Sequence, residues 1–171
     1  MHAIRSLSLA AVLVIFGLSM AAAADAIHPN EARGVSDTAD RAVGSRMPPK
    51  LRGLLIQEML ALLDASKQIL EALIRGQNDL VARNAQAIHD SFILEQGMSD
   101  ADRQAFHDSV PHAFIERDQA LHDLSERLAN AAREGDQLAQ HKLFTEMLNA
   151  CVACHAAHAT DRFPNLAVGA H

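Results

Sequence analysis

Two cysteines and a histidine near the C-terminus form the group of residues in this chain that is best suited to chemistry. Cys151 and Cys154 are the only cysteines in 171 residues, and His155 follows the second one directly. The spacing C-x-x-C-H is the pattern of c-type haem attachment. The two thiols add to the vinyl groups of the porphyrin, and the adjacent imidazole binds the iron from one side. Because residues three and four positions apart share one face of a helix, a single turn presents all three groups to one flat cofactor.

Other interpretations of the two cysteines have less support. A thioredoxin-like redox pair needs a βαβ context, and the sequence contains no strand pattern. A structural zinc site usually has four protein ligands, whereas Cys151, Cys154 and His158 supply three and no second cysteine pair is present. A disulfide between Cys151 and Cys154 would close only a very small loop. Ten histidines also permit adventitious metal binding, although they form no defined cluster.

The composition predicts one globular domain after processing. Hydrophobic residues make up 49% of the chain and aromatic residues 4%, with no Trp and no Tyr. Leu and Ala, both good helix formers, dominate. The formal net charge of −6 argues against nucleic acid as a partner. An acidic surface is compatible with a basic redox partner, but it identifies none.

Residues 1–24 have the pattern of a secretory signal peptide. A short N-terminal segment with Arg5 precedes an apolar run from Leu7 to Met20, and Ala22–Ala24 supply the small residues expected at a cleavage site. The apolar run is short for a membrane span, which favours a cleaved signal peptide over the alternative, an uncleaved membrane anchor. No stable membrane insertion is expected after cleavage. The predicted location is the periplasm, because bacterial c-type haem is attached outside the cytoplasm.

Helices are predicted for most of the mature chain. Residues 25–48 are weakly patterned and are interpreted as a flexible N-terminus, and residues 49–171 form the domain. Four amphipathic helices are expected at about 49–75, 77–97, 111–133 and 136–160, with a short helix at about 100–109. Gly76 and Gly135 mark tight turns, which pair the helices into two hairpins joined by a longer connection. The fold class predicted is therefore all-α, an antiparallel four-helix bundle with covalently attached haem near the C-terminus.

The apolar spacing also predicts which side chains face the core. In the first helix the stripe comprises Leu55, Met59, Leu62, Ile69 and Leu73, widened by Leu54, Leu63, Leu70 and Ile74. Glu58 is assigned to the opposite, polar face. His122 in the third helix is interpreted as a solvated or boundary residue, and Asp123 is expected to pair with Arg127. The haem motif continues the inward stripe of the last helix.

These features together resemble the class II c-type cytochromes, the cytochrome c prime family. The matching features are the export signal, the four-helix pattern over roughly residues 49–163, and Cys151, Cys154 and His155 on the last helix. The resemblance implies a haem held inside the helical bundle. Members often carry an aromatic and then a basic residue after the haem histidine. Here alanines and His158 follow instead and Arg162 comes later, so the surroundings of the proximal ligand are left open.

The resemblance also directs attention to the other side of the iron. In the family that side is lined by the first helix, about three turns in, and a methionine there gives a six-coordinate electron carrier. Met59 occupies the inward position about ten residues after Pro49, between Ile56 and Leu63, which would keep a pocket dry. Its thioether is a suitable iron ligand, although methionine is also a common core filler. His89, at the edge of the second helix, is the rival ligand.

The function expected from these features is that of an exported mono-haem c-type cytochrome, an electron carrier with His155 and Met59 as axial ligands. The first alternative is a five-coordinate cytochrome c prime that binds small gases such as nitric oxide. The second is a non-haem metal-binding or interaction bundle. No nucleophile–base pair or paired carboxylates indicate an enzyme. Family members often form dimers through the first two helices, so a homodimer is compatible with the resemblance.

Overall fold

The helices account for almost all of the chain that the structure, a computed structural model, describes. It describes residues 42–91 and 96–166. The helices are α1 (Val43–Arg46), α2 (Pro49–Ile74), α3 (Asn78–His89), α4 (Asp100–Ser109), α5 (His112–Arg133) and α6 (Gln137–His158), followed by a 3₁₀ turn at Pro164–Leu166. Within these ranges no strand occurs, and one isolated bridge joins Ala42 to Ala159. The all-α prediction is therefore confirmed, whereas the predicted signal peptide, residues 1–24, lies outside the described residues.

The two glycine turns predicted from sequence have the same backbone geometry. Gly76 and Gly135 adopt left-handed φ angles of 67° and 72°, which glycine reaches without a steric cost. After α2, the amide of Gln77 donates to the carbonyl of Ala72 over 2.9 Å, and after α5 the amide of Asp136 donates to Ala131 over 3.0 Å. These bonds satisfy carbonyl groups that the helix ends would otherwise leave without partners. Each turn lets the next helix fold back on the one before.

The long helices pack in the order in which they occur, α2 on α3, α3 on α5 and α5 on α6. Small buried side chains at these contacts, among them Ala82, Ala85, Ala129 and Ala132, permit close approach of the helices. A main apolar cluster fills the space between the four long helices; its large buried members are Leu62, Ile69, Val81, Ile88, Leu128, Leu143, Phe144 and Met147. A second apolar cluster comprises Val43, Met47, Leu51, Val110 and Phe114.

The connection between α3 and α5 contains the predicted short helix, and this prediction is confirmed. Ser99 and Asp102 form a capping box, in which the Ser99 hydroxyl accepts from the Asp102 amide and the Asp102 carboxylate accepts from the Ser99 amide. The Lys50 ammonium of α2 also pairs with Asp102. The hydrogen bond from Lys50, with those from Ser99, lowers the pKa of Asp102 from 3.8 to about 2. These contacts fix α4 to the first turn of α2.

Two predicted helix and segment boundaries differ from the structure. The second long helix ends at His89 rather than near Gly97, and Phe92, a predicted member of its stripe, lies outside the described residues. Residues 43–47 were assigned to the flexible N-terminus, but residues 43–46 form α1, and Val43 and Met47 are buried in the second apolar cluster. The sequence did not predict α1 because this segment has no strong helical period of its own. Its contacts with α2 and α5 order it instead.

Three predicted side-chain positions in α2 are wrong. Leu63, Leu70 and Ile74, expected to widen the core stripe, are exposed. The helices packed on α2 cover a narrower arc than its apolar residues occupy, so one edge of the stripe stays in solvent.

Polar residues on two helices also depart from the predictions. Glu58, expected on the polar face of α2, is buried, and the Ser91 hydroxyl donates to its carboxylate over 3.2 Å. The predicted pair of Asp123 and Arg127 is replaced by a contact of 3.8 Å between Arg127 of α5 and Glu146 of α6. A search of the described helices found none with the length and apolar character required to cross a membrane.

Candidate functional site

The haem-attachment pattern lies in the last two turns of α6. This helix begins at Gln137, where the Asp136 carboxylate accepts from the Ala139 amide over 2.9 Å, and continues through the motif to His158. Cys151, Cys154 and His155 are all partly exposed. Since they lie three and four residues apart on one regular helix, they share a face. The structure thus brings the three predicted residues together.

Both thiols are free and are held in their neutral form. Burial raises the pKa of the Cys151 thiol. Burial is also the main cause that raises the pKa of Cys154 to about 11, with the Arg117 guanidinium opposing it and the Asp118 carboxylate adding to it. A neutral thiol pair does not attract a metal ion as thiolates do. Thioether formation would use the sulfur and the proton of each thiol, and both cysteines are free for it.

The His155 imidazole is also neutral. Partial burial lowers its pKa, because an imidazolium is less well solvated there than in water. A neutral ring has one nitrogen with a free lone pair, which is the form that binds iron. The ring lies face to face with Phe163, with centroids 4.5 Å apart and planes inclined by 9°. Phe163 lies eight positions after His155 in the sequence.

Apolar surface continues beside the motif on the exposed side of α6. Leu148 and Val152 are 47% and 53% exposed. A flat apolar cofactor requires such surface in addition to its covalent and axial bonds. The donor set and its surroundings, two neutral thiols, a neutral imidazole and apolar side chains, therefore fit a covalently attached haem.

Met59 lies in α2 at the half-buried border of the main apolar cluster. Its predicted neighbours in the dry pocket, Ile56 and Leu63, are instead 37% and 51% exposed. Both side chains fall on an edge of α2 that no other helix covers within residues 42–91 and 96–166, so these residues do not line a closed pocket there. Met59 thus borders this exposed apolar edge, and its role as an iron ligand stays a prediction.

His89 has a role between helices that the sequence did not reveal. Its Nδ1–H donates to the carbonyl group of His122 over 3.1 Å, and Nδ1–H of His122 donates to the carbonyl group of His89 over 3.0 Å. This reciprocal pair fastens the end of α3 to the middle of α5. His122, predicted to be a solvated or boundary residue, is buried as a result. The helical spacing of apolar residues did not predict this pair, because each imidazole bonds to a backbone carbonyl group, which every residue type has.

His158 occupies the turn of α6 that follows His155. The prediction placed it near the haem edge or in solvent, whereas the structure buries it against Phe114, with ring centroids 5.7 Å apart and an interplanar angle of 78°. His158 is thereby part of the packing between α6 and the second apolar cluster. Among the described residues, no three His, Cys, Asp or Glu side chains come together as a set that would hold a metal ion.

The chain was compared with protein-family models, with curated proteins and with solved structures, and none of the three comparisons found a match. Any function assigned to this chain therefore rests on its residues and their arrangement.

Proposed function

We propose that this protein is an exported mono-haem c-type cytochrome that carries electrons. The observation that carries the proposal is the group formed by Cys151, Cys154 and His155, which share one face of α6 with both thiols and the imidazole neutral. Haem, when bound, supplies an iron that cycles between ferric and ferrous states. In this proposal Cys151 and Cys154 hold the porphyrin by thioether bonds, and His155 is the proximal ligand.

Each of the three residues has a distinct task. Each cysteine would add its sulfur to one carbon of a vinyl group and its proton to the other, so that no oxidant would be needed. The two thioethers would fix the porphyrin to α6, so that the haem could be lost only if covalent bonds were broken. A ring nitrogen of His155 would bind the iron, and burial, which lowers the pKa of the imidazole, keeps that nitrogen available near neutral pH.

The helices would enclose the haem as an antiparallel four-helix bundle. This proposal is supported by the packing of α2 on α3, α3 on α5 and α5 on α6, and by the two glycine turns that reverse the chain direction. It is also supported by the exposed apolar edge of α2 and by Leu148 and Val152 on α6. In this arrangement part of that apolar surface covers the porphyrin and excludes water from it. A drier haem environment lowers the solvent reorganisation that accompanies each electron transfer.

Covalent haem content tests the function directly. The full chain is produced with a bacterial haem-attachment system, and the purified protein is examined by intact mass and by its pyridine haemochrome spectrum. One haem per chain is expected. The Cys151→Ala/Cys154→Ala double variant should lose all covalent haem while keeping its helical circular dichroism spectrum. A wild-type chain that folds and carries no haem would overturn the proposal and favour the non-haem interaction or metal-binding bundle.

Met59 is proposed as the second axial ligand, which distinguishes an electron carrier from a gas-binding protein. Support comes from its soft thioether and from its half-buried place at the border of the main apolar cluster. The wild-type ferric protein is expected to be low-spin, with a methionine–iron charge-transfer band. Met59→Ala should convert it to high spin, because the sixth position loses its protein ligand.

A second methionine provides the control for that experiment. Met98 is also partly buried, but it packs on the second apolar cluster, so Met98→Ala should leave the ferric spectrum unchanged. A wild-type protein that is already high-spin, with ready binding of carbon monoxide to the ferrous form, would replace the electron carrier by the five-coordinate gas-binding protein. A low-spin spectrum lost only in a His89→Ala variant would assign the ligand to His89.

The expected setting follows from the predicted signal peptide and the charge. A chain processed after residue 24 would act in the periplasm, with a redox protein as its partner. Periplasmic fractionation of cells that produce the full chain, together with N-terminal sequencing, checks this location. Protein that stays in the cytoplasm with residues 1–24 attached would contradict it.

A further inference from the structure

The segment that follows α6 holds one aromatic ring in a defined place. The amide of Ala159 donates to the carbonyl of His155 over 3.0 Å, and the amide of Phe163 donates to the carbonyl of Ala159 over 2.9 Å. On the other side, the amide of Leu166 donates to the carbonyl of Phe163 over 3.0 Å within the 3₁₀ turn. The bridge between Ala42 and Ala159 adds a contact with the start of the described chain. The backbone of Phe163 is thus fixed on both sides.

The ring of Phe163 constrains the orientation of the His155 imidazole. The two rings are nearly parallel, inclined by 9° with centroids 4.5 Å apart, which is within the range of direct aromatic stacking. Rotation of the imidazole about its Cβ–Cγ bond would drive its edge into the phenyl face. The phenyl ring has no lone pair and no acidic proton, so it leaves both imidazole nitrogens, which lie in the ring plane, open at the edge.

The stack of Phe163 on His155 takes the place of the hydrogen bond that commonly orients a metal-binding histidine. Histidines that bind metals are usually oriented by a hydrogen bond from the second ring nitrogen to a carbonyl or carboxylate group. Within residues 42–91 and 96–166, the imidazole of His155 stacks on the ring of Phe163. No hydrogen bond within those residues involves either ring nitrogen of His155. His89 and His122, by contrast, are each oriented through Nδ1. The orientation of His155 therefore depends on packing.

We propose that Phe163 is a positioning residue that sets the plane of the His155 imidazole at the haem iron. This inference rests on the proposed function, because it concerns the proximal ligand. The plane of an axial imidazole determines how unpaired spin is distributed over the porphyrin, and hence the paramagnetic shifts of the four haem methyl groups. A plane held by packing also stays the same in both oxidation states, which limits the ligand movement that accompanies electron transfer.

Proton NMR of the ferric holoprotein tests the role of Phe163. Phe163→Leu removes the flat ring and keeps apolar bulk, so the spread or order of the haem methyl shifts should change. Phe163→Tyr keeps the flat ring and should reproduce the wild-type pattern, since the side chain is 41% exposed and has room for a hydroxyl group. Phe163→Met serves as a second non-aromatic variant if Phe163→Leu takes up less haem. Methyl shifts respond to the ligand plane in both high-spin and low-spin ferric haem, so the experiment does not depend on Met59.

The possible failures are distinguishable. Haem content is measured for every sample by the pyridine haemochrome spectrum. If wild type and Phe163→Leu carry equal haem and their methyl shifts coincide, the positioning role is overturned while the cytochrome proposal stands. The same conclusion follows if Phe163→Tyr changes the shifts as much as Phe163→Leu does, because the parallel ring is then not the cause. A wild-type chain without covalent haem overturns the proposed function, and the positioning role with it.

Discussion

The two ends of α6 lie in contrasting surroundings. Near its start lies the turn end, formed by Gly76, Gly135 and their flanking residues. There the hydrogen-bonding groups of the turns and of Gln140 find partners within the chain. Both turns are closed by backbone hydrogen bonds, and the buried amide of Gln140 donates to the side-chain oxygen of Asn78 over 3.3 Å. About 20 Å further along the same helix, by a rise of 1.5 Å per residue, lies the motif end, Leu148–Phe163, where three apolar side chains stay exposed.

The two ends differ in how their polar groups are arranged. At the turn end the glycines close turns and the buried amide has a partner. Exposed apolar side chains occur at both ends of α6, since Ile74 and Leu138 at the turn end are 78% and 81% exposed. At the motif end two neutral thiols and a neutral imidazole stand half-exposed among apolar side chains. This arrangement is compatible with the proposed attachment of haem to Cys151, Cys154 and His155.

A cavity in the main apolar cluster should have the largest effect on stability. Leu128 is fully buried in α5, so Leu128→Ala is expected to lower the free energy of unfolding by about 2–5 kcal/mol. Leu148→Ala removes the same atoms from an exposed position at the motif end and should change it by less than about 0.5 kcal/mol. Urea denaturation followed by circular dichroism measures both. Equal losses would show that the motif end is packed as tightly as the core.

The reactivity of Cys154 should report its burial before haem attachment. Burial raises its thiol pKa from 9.0 to about 11, so at pH 8 the folded chain holds on the order of a hundredfold less thiolate than an unfolded one. Alkylation by iodoacetamide, measured on the Cys151→Ala variant, should be slower by that factor and should accelerate as the pH approaches 11. The urea-unfolded variant is the control. Equal rates in both states would mean that the motif end does not shield this thiol.

The turn end should be sensitive to a single methyl group where its backbone is left-handed. Gly135 has a φ of 72°, and alanine in that region costs about 1–2 kcal/mol, so Gly135→Ala should destabilise the protein. Gly53 lies inside α2, where an added Cβ meets no atom within 4 Å, and Gly53→Ala should stabilise it by about 0.5–1 kcal/mol. Thermal unfolding of both variants measures the contrast. Shifts of the same sign would refute the assigned role of the turn.

The smallest effect is expected at the capping box, which belongs to neither end of α6. Its hydrogen bonds lower the pKa of Asp102 from 3.8 to about 2, so the charged carboxylate stabilises the fold above about pH 4, and this contribution is lost as the pH falls through 2. The stability advantage of the wild type over Asp102→Asn should therefore shrink between pH 4 and pH 2. Asp100→Asn removes a carboxylate 3.8 Å from Arg103 and should show a weaker pH dependence. A wild-type advantage that stays constant from pH 5 to pH 2 would contradict the assigned pKa.

Much of the local structure could be predicted from sequence. The start of α2 at Pro49, its end before Gly76 and the capping box at Ser99 are all confirmed. Each depends on backbone geometry within four or five residues, which residue type controls directly. The shared face of Cys151, Cys154 and His155 followed in the same way from helical spacing. The function assigned to that face stays a proposal.

The rest depended on contacts between distant parts of the chain. Glu58 was assigned to solvent and Leu63 to the core, and both assignments are wrong because the neighbouring helices cover a different arc of α2. The His89–His122 pair joins positions 33 residues apart through carbonyl groups, which carry no side-chain signal.

The sequence by itself determined the bounds of α2, α5 and α6 to within two residues and that two thiols and an imidazole share one turn, since these follow from local geometry. Only the tertiary structure decided that Phe163 stacks on the His155 ring. The path of the chain after α6 is set by its packing and backbone bonds, and no spacing rule along the chain specifies it.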